Sequence, residues 1–151
     1  MKNNKGFSLV ELIIVIAIMA ILVGVMAPQL IKYIEKTNVS SDTQLADSVR
    51  SAITTAMLDP AVIQADDYTF PSTGEFETCV SDAGDTFKAA VYEILGIDDA
   101  SDLKLKSKDA SGVKVYILNS NSVAVEIEGS HADGNGGEET IVVPEGASIG
   151  E

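Results

Sequence analysis

The chain has one cysteine, one histidine and ten basic side chains against 23 acidic ones in 151 residues. A lone Cys79 excludes an intramolecular disulfide, so hydrophobic packing and strand pairing have to hold the exported surface. The expected use of that thiol is as a small buried apolar group. His131 stands in Ser130-His131-Ala132-Asp133 with no partners nearby for a triad or a histidine-based metal site. The glycine-rich stretch Asp133-Gly134-Asn135-Gly136-Gly137 lacks the form and the following helix of a phosphate-binding loop. With no catalytic constellation, no enzyme is expected. The formal charge of −13 disfavours phosphate neutralisation, so nucleic acid is not an expected partner. It reads instead as solubility and mutual repulsion.

Formal charge is also missing from Leu12 to Ile31. At ~1.5 Å rise per residue this stretch makes a helix ~30 Å long, the thickness of a bilayer's hydrocarbon core. Its many β-branched residues favour strand weakly in water, but in lipid the backbone has to satisfy itself internally and a helix results. Lys2 and Lys5 precede the run with no acid among the first six residues, which keeps that end cytoplasmic and exports the rest. A removable secretory signal fits less well. Val25-Met26-Ala27 is a poor cleavage site, Pro28 follows directly, and a helical pattern continues to Leu58. Glu11 is the exception in the segment, because a carboxylate deep in a membrane helix costs roughly 2.5–3.5 kcal/mol and marks function.

Lys5-Gly6-Phe7-Ser8-Leu9-Val10-Glu11-Leu12-Ile13, with the apolar run and Pro28, closely resembles the class III signal of type IV prepilins and their pseudopilin relatives. The resemblance covers about the first thirty residues. It implies that a prepilin peptidase cuts between Gly6 and Phe7 and N-methylates Phe7. It implies that Glu11 promotes methylation and docking of subunits, and that the apolar helices leave the membrane to pack in a filament core. A cut there makes Glu11 the fifth residue of the mature chain, where an amine from its own or a neighbouring Phe7 offsets its desolvation. Loss of Lys2 and Lys5 with the leader lowers ten basic side chains to eight against 23 acidic ones.

The chain divides into a leader at 1–6, a transmembrane and filament-core helix at 7–31, an amphipathic helix at 32–58 and a globular head at 59–151. Leu45, Val49, Ile53 and Met57 recur four apart, with Ala46, Ala52 and Ala56 beside them, while Asp42, Gln44, Asp47 and Arg50 face elsewhere. Asn38 to Asp42 is a weak spot for a bend, and Asp59-Pro60 ends the helix. Pro28 removes a donor and clashes with the carbonyl of Gly24, so residues 24–28 are the softest part of the membrane helix. Family resemblance implies that they unwind during assembly. Residues 61–81 read as an irregular connection, and 82–95 as a short helix capped by Asp82 or Asp85, striped by Phe87, Val91, Ile94 and Leu95 and ended by Gly96. From Leu103 the period switches to two, giving antiparallel strands at 103–105, 113–117, 123–128 and 140–143. The fold class is α+β, a long N-terminal helix packed on a small antiparallel sheet, like a type IV pilin.

No cofactor is expected. The one candidate is calcium on the oxygens of Asp133, Asn135 and Glu138, with Glu139 beside them, although the spacing is not an EF-hand loop. The expected function is the major structural subunit of a type IV pilus serving adhesion, motility or aggregation. Its partners are then further copies in a helical filament, a prepilin peptidase, the pilus assembly platform and, before assembly, membrane lipid. It begins as a single-pass cytoplasmic-membrane precursor and ends in an extracellular pilus. The rivals are a pseudopilin of a type II secretion or DNA-uptake machine, and a membrane-anchored binding domain that never polymerises.

Overall fold

A computed structural model describes residues 6–118, 122–131 and 140–149. It divides into two compact units, Met1–Ile34 and Glu35–Glu151. Helix α1, Leu9–Leu58, contributes to both. It runs without a break through Pro28 and through the Asn38–Asp42 stretch where the sequence suggests a bend.

In the second unit α1 buries Val39, Asp42, Ala46, Val49, Ile53 and Ala56, spaced alternately by three and four, so one face of the helix enters the core. This corrects the stripe read from the sequence, which leaves Asp42 outside and includes Leu45, a half-buried residue. After Asp59, whose carboxylate accepts from Ala61 N–H at 2.8 Å, come α2 (Pro60–Ile63), β1 (Gly74–Glu75), α3 (Phe76–Asp82), α4 (Asp85–Leu95) and a 3-10 turn at Ala100–Asp102. Three longer strands follow: β2 (Gly112–Ile117), β3 (Val123–His131) and β4 (Thr140–Val143). The sheet is an antiparallel meander of order β1-β2-β3-β4. The α+β architecture expected from the sequence is therefore present.

Four details differ from the sequence reading. The 61–81 connection contains α2, β1 and α3. The short helix starts at Asp85 with Gly84 as its N-cap and no side-chain cap from its own end. Asp67 supplies the cap from a distance, accepting from Thr86 N–H at 2.8 Å and Thr86 Oγ1 at 2.7 Å. Those bonds, the backbone one first, hold the Asp67 carboxyl below its usual range. Gly84 is required there: its φ is +111°, and a Cβ would lie 2.4 Å from the carbonyl oxygen of Asp67. At the other end Gly96 takes the left-handed cap, as expected. Along the helix Tyr92 is buried and Ile94 is half exposed, because Tyr92 stacks on Phe76 with centroids 6.1 Å apart and donates its hydroxyl to Glu77.

The fourth difference is the missing strand at 103–105. Leu103 and Leu105 are half buried against the core, but the backbone after them pairs with no strand. Lys106 N–H donates to Asp42 Oδ1 at 2.9 Å, Ser107 N–H to Asp42 Oδ2 at 2.8 Å, and the Ser107 hydroxyl to the same oxygen. Lys108 N–H donates to Glu35 Oε1 at 2.6 Å. The first strand of the sheet is Gly74–Glu75 instead. In the β2–β3 ladder Lys114 stands opposite Glu126. The ammonium, however, reaches Glu128 at 3.8 Å, and Glu126 accepts from the Tyr116 hydroxyl at 2.8 Å.

Core side chains from α1, α3, α4 and the sheet form one cluster that includes Ile53, Phe87, Val91, Val115, Val125 and Ile127. Cys79 lies fully inside it. Burial first, and then the charge of Asp82, push its thiol up to about 11. At pH 8 about one molecule in a thousand carries the reactive thiolate, and even that one is enclosed. Maleimide labelling of Cys79 is expected only in denaturant, as read by intact mass. Asp42→Ala removes the acceptor from two backbone donors and a buried hydroxyl, with an expected loss of roughly 3–5 kcal/mol in urea unfolding of the detergent-solubilised chain followed by tyrosine fluorescence. Asp42→Asn, which keeps one acceptor oxygen, is expected to lose less.

Candidate processing and assembly segment

Gly6, Phe7 and Ser8 are non-helical, and α1 begins at Leu9. The start is fixed by two reciprocal bonds. Val10 N–H donates to Ser8 Oγ at 3.3 Å, and Ser8 N–H donates to Glu11 Oε2 at 2.8 Å. Ser8-x-x-Glu11 is thus a capping box, with the serine side chain serving the first-turn donors and the glutamate reaching back to the serine amide. The signal for it in the sequence is Ser-x-x-Glu before an apolar run, a local motif separate from the charge of Glu11. The Glu11 carboxylate also sits in the first turn, where the helix dipole favours an anion.

The Gly6–Phe7 bond therefore lies in non-helical chain just outside the helix, and Phe7 is 91% exposed. A Cβ at Gly6 would meet nothing within 4 Å, nor would one at Gly24. Neither glycine is needed for the packing of its own chain. From Leu9 to Ile34 every large apolar side chain is exposed, the least of them Val15 at 46%. A continuous apolar surface of that extent has to be covered by lipid or by other protein. Among the described residues α1 is the one helix long and apolar enough to cross a membrane. Pro28 sits inside it, where it leaves the Gly24 carbonyl without its ladder donor.

No group of three His, Cys, Asp or Glu side chains stands together to hold a metal among the described residues. The calcium candidates Asp133, Asn135 and Glu138, with Glu139, lie outside the described residues, as do Lys2 and Lys5.

Residues 1–27 match the family described as the prokaryotic N-terminal methylation motif. The chain is 34% identical over 123 residues to a fimbrial protein of Dichelobacter nodosus, covering 82% of this chain and 71% of the relative. The chain belongs to the type IV pilins. It is also 37% identical over 114 residues to the type IV major fimbrial protein FimA of Dichelobacter nodosus strain VCS1703A, covering 76% of this chain. That alignment spans 65% of FimA's own length. A fimbrial protein of Moraxella nonliquefaciens is 44% identical over 55 residues, covering 36% of each chain. No solved structure matches the pilin.

Because the capping box works through acceptor atoms, its role separates from that of the Glu11 charge. Ser8→Ala and Glu11→Ala are each expected to loosen the first turn by about 1 kcal/mol, or roughly fivefold faster amide exchange at Ser8 and Val10 in micelles. Glu11→Gln keeps an acceptor oxygen and is expected to leave that exchange near the wild-type rate.

Proposed function

We propose that this pilin is the major structural subunit of a type IV pilus, made as a membrane precursor. The observation that carries the reading is the conjunction at one end of α1: a non-helical Gly6–Phe7 junction, a carboxylate at Glu11 bonded to the Ser8 amide, and large apolar side chains that are all exposed from Leu9 to Ile31. Prepilin peptidase cuts between Gly6 and Phe7 and methylates the Phe7 amine. The precursor stands as a single pass with its N-terminus in the cytoplasm, and the assembly platform draws it from lipid into a filament of identical copies. The mature subunit is extracellular.

Each residue has a physical part in this. Gly6 presents no side chain at the cut. Phe7 supplies the new amine. One oxygen of Glu11 takes the Ser8 amide, and a carboxylate has further lone pairs, so a neighbouring Phe7 amine can be accepted without giving up the cap. Such an intermolecular pair offsets the cost of keeping Glu11 among apolar helices and sets their register. Gly24 and Pro28 are the place where α1 loses ladder hydrogen bonds most cheaply when the helix passes from bilayer to filament core.

The pseudopilin reading shares all of these steps and differs in where the polymer ends. The names of the relatives, a type IV major fimbrial protein and a fimbrial protein, support the pilus. The deciding experiment is the intact mass of protein sheared from cell surfaces. The expected species is Phe7 to Glu151 plus one methyl group, recovered in bulk. A full-length mass retained in membranes overturns the proposal, and a cut chain missing from the sheared fraction favours a pseudopilin.

A further inference from the structure

Strand β1 is two residues long and pairs with β2, Gly74 opposite Val115 and Glu75 opposite Lys114. So short a pairing is weak by itself, yet it leads straight into α3, which places Phe76, Cys79 and Val80 in the core. One neighbouring bond helps, because Ile117 N–H donates to Thr73 Oγ1 at 2.9 Å. The rest of the tie lies on the face of the sheet turned away from the core. Val113, Val115, Val125 and Ile127 point inward, so Glu75, Gly112, Lys114, Tyr116, Glu126 and Glu128 share the outer face.

Gly112 stands between two carboxyl groups. Glu128 is its partner across the β2–β3 ladder, and Glu75 belongs to β1 on the other side of β2. A Cβ at Gly112 would lie 3.3 Å from Glu128 Oε2 and 3.4 Å from Glu75 Oε2, so the two acids close over the place where a side chain is missing. There they come within hydrogen-bonding reach of each other. Two carboxylates cannot bond to each other, but with one proton between them the neutral acid donates to the charged one. Burial first, and then the charge of Glu128, raise the Glu75 carboxyl above its usual range, against the opposing pull of Lys114. Lys114 is the one cation among these outer-face residues, and its ammonium lies 3.8 Å from the other oxygen of Glu128. Glu126 accepts from the Tyr116 hydroxyl. On α3, Glu77 is turned to Lys88 and Tyr92 of α4. The cleft beside Glu75 is also lined by Ala100, Leu103 and Leu105, with exposed Lys104 between the two leucines.

We propose that Glu75 and Glu128 share one proton above Gly112 and so form an acid-closed clasp, which fastens β1, and with it the entrance to α3, across β2 to β3. While the proton is held, a hydrogen bond joins the strands on either side of β2. When both groups ionise that bond is lost, and like charges on β1 and β3 oppose each other with Lys114 alone to offset them. The direction follows from the proton count. The folded head keeps a proton that the unfolded chain gives up at the usual glutamate value. The clasp's contribution is therefore whole below that value and is lost as the pH rises through the raised one. The edge strand is held more firmly in mild acid than at neutrality.

The test uses the full-length chain in detergent micelles. Carboxyl-carbon NMR follows Glu75 and Glu128 from about pH 3 to about pH 8, and amide exchange follows Ile117 N–H beside β1. The expected result is a coupled titration whose last proton leaves above the ordinary glutamate range. Protection of Ile117, corrected for intrinsic exchange, is expected to be at least about twofold higher near pH 5 than near pH 7. Ile97 N–H, which donates to the Tyr92 carbonyl, is the reference and is expected to keep one value. Glu75→Gln offers Glu128 a donor at every pH, so it is expected to hold the higher protection at both. Gly112→Ala puts a Cβ between the two oxygens, and is expected to return Glu75 toward its ordinary value and to abolish the pH dependence. Independent titration of the two acids at ordinary values overturns the proposal, and this is read on the unmodified chain, whatever the variants do. A pH dependence at Ile117 that persists in Glu75→Gln places the sensor elsewhere and overturns it as well.

Discussion

Among the described residues Asp42 is the one carboxylate taken into the interior of the head, at 1% exposure, and much of the head's arrangement depends on it. Two backbone amides and one hydroxyl from residues 106–107 converge on its oxygens. A buried charge is tolerable only when its lone pairs are filled, and here the filling groups come from a loop more than sixty residues away in sequence. The bond therefore closes the chain on itself. It fastens the segment between α4 and the sheet onto α1 and lets Leu103 and Leu105 reach the core. The same closure aligns Lys108 with Glu35 at the start of the second unit.

Around that anchor the remaining polar groups work locally. Asp67 caps α4 from across a loop, Glu77 gathers Lys88 and Tyr92 between α3 and α4, and Glu128 and Glu126 engage Lys114 and Tyr116 on the sheet. These contacts are exposed or part-buried, and the exposed ones add little individually. Their effect is geometric, since they fix which faces of α3, α4 and the sheet meet over Cys79, Phe87 and Ile53. With one cysteine in the chain, packing and hydrogen bonds supply the rigidity that a disulfide provides elsewhere.

The N-terminal unit follows a different physics. Its described residues form no core, and its stability as a helix comes from satisfied backbone bonds and from the Ser8–Glu11 box at its start. Glu11 closes the start of its own helix, and a carboxylate bonded once there keeps further lone pairs.

The sequence by itself determined whatever is written in runs and short motifs. The uncharged run from Leu12 to Ile31 is long enough to span a bilayer whatever the rest of the chain does, and strict alternation in 113–117 and 123–128 commits those residues to strands. Asp59-Pro60 and Gly96 stop helices through their own backbone preferences. Ser8-x-x-Glu11 was equally legible, because a capping box is local. Tertiary structure decided the rest. Periodicity assigns a charged residue to solvent, so the burial of Asp42 appears only once the loop that satisfies it has folded over it. Leu103 and Leu105 alternate like a strand, yet their neighbours' amides go to Asp42 and no ladder forms. The first strand is two residues long, too short for any pattern, and exists because β2 offers it an edge. Asp67 caps a helix nineteen residues away, which no local rule connects. In each case the deciding partner is distant in sequence, and only folding brings it within hydrogen-bonding reach.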